Sequence, residues 1–255
     1  MLITAPRTSV TTPLVTPLHS FNSSSAPDSF VRSSQTRGAD KMWQIARLRQ
    51  KLPSELPRTT FAEIEALLVK SGSEELAPAV KKAYSVAESA HAGMTRQDGT
   101  PYIHHPARVC AFLISECGVK DGEVLQAALL HDVVEDTPVT VKDIEAQFGQ
   151  KTAEYVDWLT KPPAEGFASK EQLNAYQADR IARAPQQVRM VKVADRIDNV
   201  SDLHLLPSDG KMERYLKDTR ENYLRLAKDT DPALYRFLDL RVSQLENLAE
   251  LDAAA

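Results

Sequence analysis

Apolar side chains recur at helical spacing through most of the chain. Leu76, Val80, Ala83, Tyr84, Ala87 and His91 fall at i, i+4, i+7, i+8, i+11 and i+15, which is one face of an α-helix. Pro106 suits the first turn of a helix carrying Val109, Phe112 and Leu113. Asp121 is placed to cap a helix with Val124, Ala127, Ala128 and Leu130. Thr140 is placed to cap another with Ile144 and Phe148, which Gly149 closes. Val156 and Leu159 continue the pattern, and further helices are expected over Lys170–Arg183, Gln187–Leu203, Met212–Lys228 and Pro232–Leu251. No period-2 run of strand length and no fixed repeat is present, so the expected fold class is all-α.

The pattern also divides the chain. Residues 1–40 are rich in Ser, Thr and Pro and lack hydrophobic periodicity. Such a stretch cannot offset its ordering entropy by burial and is expected to be disordered. It holds Arg7, Arg32 and Arg37 but only the acids Asp28 and Asp40, a bias shared with transit peptides and type III secretion signals. A plain tail in a cytoplasmic protein, a secreted effector and an organellar protein all remain open. Residues 41–73 are expected to form a helical appendage, with breaks at Pro53 and Pro57 and with Phe61, Ile64, Leu67 and Leu68 at helical spacing. That appendage could pack on the main domain or stand apart. The main domain is expected over residues 74–251.

Composition narrows the function. A formal net charge of -4 offers no basic excess, so a nucleic-acid partner is not expected. No apolar run approaches the roughly 18 residues of a membrane span. Cys110 and Cys117 lie too far apart on one helix to bond and are expected as core thiols. The sequence does not give an oligomeric state.

Ala127–Thr137 carries the chemistry. An apolar run ends in His131 and Asp132, and Glu135 and Asp136 follow within about one turn. Four ionisable groups at the end of a buried segment are unfavourable unless their charge is compensated, and a divalent cation would do so. An exposed acidic helix end is the plainer alternative. His105 and Asp195 complete a set of two imidazoles and two carboxylates from three predicted helices. That donor set suits Mn²⁺, Fe²⁺ or Zn²⁺, and the lack of thiolates argues against structural zinc.

The ordered motifs resemble the HD-domain superfamily of metal-dependent phosphohydrolases. They are Ala90-His91 with Arg96, Gly99–Pro106, Ala127–Thr137, Phe148-Gly149, Thr160-Lys161 and Val191–Asn199. Within the superfamily the chain is similar to the hydrolase domain of RelA/SpoT homologues, above all to small stand-alone alarmone hydrolases. The resemblance implies an HD-type helical bundle and one Mn²⁺ held by His105, His131, Asp132 and Asp195. It implies that Glu135 and Asp136 orient the attacking water. The implied substrate is ppGpp or pppGpp, cut at the 3′-pyrophosphate. Arg96 matches an arginine that stacks on guanine, and Asn199 one that contacts the ribose or 3′ phosphate. Tyr215 with Lys211 resembles a pair that holds distal phosphates. Lys161, Lys192 and Arg196 are further cations expected around a polyanion.

The chain departs from the family at Gln97, where a lysine is common, at Met94, and at Pro162-Pro163 after Lys161. With the sequence ending at Ala255, soon after the last predicted helix, no synthetase region is expected. Two rival functions stay open: phosphohydrolysis of another nucleotide, such as the 2′-phosphate of NADPH, and nucleotide binding without turnover.

Overall fold

The computed structural model describes residues 56–205 and 210–253. The expected tail of residues 1–40, and residues 41–55 of the expected appendage, lie outside the described residues. All regular elements among the described residues are helical, apart from one isolated bridge between Thr95 and Pro101.

Capping sets where the helices begin. Helix α1 (Phe61–Ser71) starts at Thr60, whose backbone N–H donates to Glu63 Oε2 at 2.7 Å. Its Ile64 and Leu68, one turn apart, are fully buried against α3 (His104–Ser115) and the core. Full burial of such side chains stabilises by about 1.5–3 kcal/mol each. Residues 61–71 therefore pack on the main body. Helix α2 (Ala77–Ala90) buries Val80, Ala83, Tyr84 and Ala87.

Helix α4 (Gly122–Leu130) is central. Asp121 accepts from the backbone N–H groups of Glu123 (3.0 Å) and Val124 (3.2 Å) and so caps it. Val124, Leu125 and every residue from Ala127 to Leu130 are buried, because α2, α3, α7 (Gln150–Leu159) and α9 (Gln186–Ser201) surround the helix. A helix apolar over most of its surface belongs near the middle of a bundle. Its C-terminus delivers His131 and Asp132, and the short α5 (Val133–Asp136) follows at once.

Helix α6 (Val141–Phe148) begins with a capping box between Thr140 and Asp143. It ends at Gly149, whose φ of +85° lets the chain turn directly into α7. Ser169 caps α8 (Lys170–Ala182). Helix α9 packs on α3, α4, α7 and α12 (Pro232–Ala253).

The expected single helix over Met212–Lys228 is interrupted. Helix α10 (Lys211–Asp218) runs into a π-helical turn, Thr219–Tyr223, before α11 (Leu224–Lys228) resumes the regular winding. One extra residue in a turn leaves the hydrophobic periodicity nearly intact, so the pattern alone reads straight through it. Cys110 is buried and Cys117 half-buried, and both are free.

Candidate metal centre

Four side chains from three regions converge. His105 lies in the first turn of α3, His131 and Asp132 follow α4, and Asp195 is buried in α9. His105 Nε2 lies 3.2 Å from Asp195 Oδ1 and 3.6 Å from Asp132 Oδ2. His131 Nε2 lies 3.0 Å from Asp132 Oδ2 and 3.7 Å from Asp195 Oδ1. The four atoms form a ring in which imidazole and carboxylate alternate. Donors about 2.1 Å from one shared ion would sit roughly 3.0–3.4 Å apart at octahedral to tetrahedral angles, so the ring is close to the size of a coordination shell.

The tautomers strengthen this fit. His131 Nδ1 lies 2.8 Å from the Ala128 carbonyl oxygen, and His105 Nδ1 lies 2.7 Å from Asp198 Oδ2. Both partners can only accept, so each Nδ1 carries the hydrogen. A neutral imidazole then aims its Nε2 lone pair at ionised carboxylates, and His131 Nε2 is buried without a hydrogen-bond donor. A cation at the centre would satisfy the imidazole lone pairs and offset the carboxylate charges together. A proton is the poorer substitute. Burial alone would lower the His105 pKa, yet Asp195 and Asp198 raise it, and His131 is raised well above its ordinary value by Asp132 and Asp195.

The donors are themselves held. Lys192 Nζ lies 2.9 Å from Asp195 Oδ2, and the Asn199 amide donates to Asp195 Oδ1. Burial would raise the Asp195 carboxyl, but Lys192 and the imidazoles hold it well below the usual range. Tyr102 donates its hydroxyl to Asp132 Oδ2 at 2.7 Å, and the buried His91 ring stacks on Tyr102 with centroids 4.6 Å apart. Arg108 grips Asp198 through two bonds of 2.7 and 2.9 Å. Burial alone would raise the Asp198 carboxyl, and its bonds to His105 and Arg108 hold it instead at about 2. Tyr102, Arg108 and Asp198 carried no expected role. Their only signal is spacing, with Tyr102 and Arg108 three residues either side of His105, and Asp198 three after Asp195.

Glu135 and Asp136 stand on α5, directly after the ring. Lys161 approaches Glu135 twice, from its backbone N–H and from Nζ, each at 3.3 Å. Asp136 is raised above the ordinary carboxyl value by partial burial and by the Asp132 charge. Beside the ring lies a cavity of about 250 Å³ lined by Arg96, Gln97, Tyr102, Asn199, Lys211 and Tyr215 among others. The loop that brings Arg96 and Tyr102 there is a local product of sequence. Asp98 accepts from the Thr100 backbone and hydroxyl, Gly99 takes φ +82°, and Arg96 N–H donates to Thr100 O at 2.8 Å.

The expected cations thus part ways. Arg96 and Lys211 line the cavity, with Arg96 paired to Asp202 at 2.5 Å and bonded to Asn199 at 3.0 Å. Lys192 is turned to Asp195, and Lys161 to Glu135. Arg196 does not line the cavity. It is buried between the rings of Tyr215 (3.7 Å) and Tyr223 (4.1 Å), and donates to Thr219 Oγ1, the Tyr215 carbonyl and Asp218. The structure places it as a clamp on the segment that contains the π-helical turn.

Residues 83–231 match the family model for the HD domain, and the chain belongs to the HD-domain family. Among its relatives is the bifunctional (p)ppGpp synthase/hydrolase SpoT of Escherichia coli strain K12, 38% identical over 170 residues, which are 66% of this chain and 24% of that protein. Another is the guanosine-3′,5′-bis(diphosphate) 3′-pyrophosphohydrolase of Vibrio cholerae, 41% identical over 152 residues, 58% of this chain and 21% of that one. The chain therefore spans about a quarter of the length of these curated relatives. A solved structure of a metazoan SpoT ortholog, described as hydrolysing ppGpp, matches with a TM-score of 0.59 and 27% identity. That match covers 65% of this chain and 94% of the ortholog. No described helix is long and apolar enough to cross a membrane.

Proposed function

We propose that this chain is a metal-dependent pyrophosphohydrolase that removes the 3′-pyrophosphate of ppGpp or pppGpp, releasing GDP or GTP and pyrophosphate. The observation that carries the reading is the alternating ring of His105, Asp132, His131 and Asp195, beside a cavity with Arg96 at its wall. The names of the relatives supply the substrate. We take the ion as Mn²⁺, which the thiolate-free nitrogen and oxygen donor set suits. When bound, a divalent cation supplies Lewis acidity, making water a better nucleophile at neutral pH and offsetting phosphoryl charge.

The residues do the rest. Glu135 accepts the proton of the attacking water, held in place by Lys161, and Asp136 orients that water. The raised carboxyl of Asp136 brings its proton affinity nearer to neutrality. Water oxygen bonds to the phosphorus on the 3′ oxygen, the bond to that oxygen breaks, and the 3′ oxygen leaves with the proton that the water gave up. Arg96 presents a planar guanidinium to the base, Asn199 reaches the ribose side, and Lys211 and Tyr215 face the distal phosphates. Lys192 acts through Asp195. The helical core serves this one centre, and synthesis of the alarmone is not proposed for it. The cytoplasm, where such nucleotides are dissolved, is the proposed compartment.

A second reading, hydrolysis of another nucleotide phosphate such as that of NADPH, draws on two features. Gln97 brings no charge to the cavity and Arg96 is already paired with Asp202. Purified protein with Mn²⁺ and ppGpp, with products separated by chromatography, decides the matter. Wild type is expected to release GDP and pyrophosphate and to stop on EDTA. Asp132→Ala should lose ion and activity together. Glu135→Gln should keep the ion and lose at least about 100-fold in kcat. Wild-type turnover by Glu135→Gln would remove that residue from the chemistry. No GDP from ion-loaded wild type, with phosphate released from NADPH, would replace the first reading by the second.

A further inference from the structure

The two imidazoles of the ring are anchored differently through their other nitrogen. His131 Nδ1 meets a backbone carbonyl in its own helix, Ala128 O, which the fold fixes without help. His105 Nδ1 meets a side chain, Asp198, which by itself could rotate or accept a proton. Asp198 is prevented from doing either. Arg108 Nε and Nη2 take both of its oxygens in a planar fork, at 2.7 and 2.9 Å, and Arg108 Nη1 donates to Pro57 O at 3.1 Å. A fork of this kind fixes the plane of a carboxylate as well as its charge. The resulting line of contacts runs outward from the ring as His105, Asp198, Arg108 and the chain just before α1.

Neither Asp198 nor Arg108 lines the 250 Å³ cavity. They face the other side of α9, where Ala194, Ile197, Asp198 and Ser201 border a separate cavity of about 570 Å³. They are therefore placed to act on the ring and not on a ligand in the smaller cavity. We propose that Asp198 and Arg108 are positioning residues for the ion. Arg108 orients Asp198, Asp198 holds His105 with its Nε2 lone pair aimed at the ring centre, and together they set the affinity for a divalent cation. An anionic acceptor on the far nitrogen also makes an imidazole the better electron donor.

The proposal rests on the metal-dependent reading above, and its test separates the two. The full chain is stripped with EDTA and titrated with Mn²⁺ by calorimetry. Wild type, Asp198→Asn, Arg108→Gln, Arg108→Lys and the double variant Asp198→Asn/Arg108→Gln are compared. The melting temperature of each in EDTA reports any purely structural role. Asp198→Asn is expected to weaken Mn²⁺ binding about 10–100-fold. Arg108→Gln should weaken it too, and Arg108→Lys, which keeps the charge but loses the fork, should fall between Gln and wild type. The double variant should bind about as weakly as Asp198→Asn alone, because Arg108 acts only through Asp198. Wild-type affinity in both single variants, even with lowered melting, overturns the proposal, as do losses that multiply in the double variant. Should Asp198→Asn fail to fold, Arg108→Lys carries the test, and unchanged affinity there is equally fatal. If wild type takes up no Mn²⁺, the metal reading itself fails and takes this inference with it.

Discussion

His105 and His131 each present a bare nitrogen to carboxylates, and this makes ion binding a proton exchange. Both imidazoles are raised above the ordinary histidine value of 6.5 in the ion-free protein. The sign follows directly. A raised imidazole stabilises the ion-free fold fully below about pH 6.5, and that contribution is lost as pH rises through the raised value. Below the raised value the same nitrogens carry protons that the ion must displace, so affinity for Mn²⁺ should rise with pH from 6 to 8 and protons should be released on binding. Calorimetry in buffers of different ionisation heat measures the release directly. A pH-independent affinity would mean that the lone pairs are not where the ion binds. The four donors were legible in sequence because each sits inside an ordered motif. Arg108 and Asp198 were not, because they touch a donor rather than the reacting atoms, and a spacing of three on a helix is too common to single them out. The direction of Arg196 was not legible for a related reason. A cation next to Asp195 in sequence points about 100° away from it on a helix, here onto Tyr215 and Tyr223.

At the scale of elements, caps gave the boundaries and periodicity gave the faces. The expected starts at Asp121, Thr140 and Lys170 agree with α4, α6 and α8 because each has a side chain that accepts from the first-turn backbone. The π-helical turn is not legible in the sequence because no residue type marks it. Tyr215, Thr219 and Tyr223 are spaced as an ordinary helix face would be, and only the packing of Arg196 shows why both rings meet one guanidinium. The capping box of α6 offers a clean measurement, since α6 packs mainly on α7, which carries none of the four donors. Thr140→Ala should cost about 1 kcal/mol. That loss lowers melting by roughly 2–4 °C in a chain of this size. Mn²⁺ affinity should not move, and a change there would tie α6 to the centre.

Over the whole molecule, the ring joins α3, the end of α4 and α9, elements that already share one apolar core. An ion that binds this arrangement and not the unfolded chain adds stability by mass action, about 2.7 kcal/mol at a hundredfold excess over Kd. Melting should therefore rise by several degrees between EDTA and saturating Mn²⁺, and Asp132→Ala should abolish the difference. Equal melting in both conditions would deny the ring a role in holding the ion. The spread of the donors along the chain has a kinetic consequence. His105 and its partner Asp198 are 93 positions apart. Bringing such distant segments together must precede any gain from joining them. An ion joining these segments is therefore expected to act as a latch, slowing unfolding more than it speeds folding. Stopped-flow unfolding in EDTA and in saturating Mn²⁺ checks this, and equal unfolding rates would deny it.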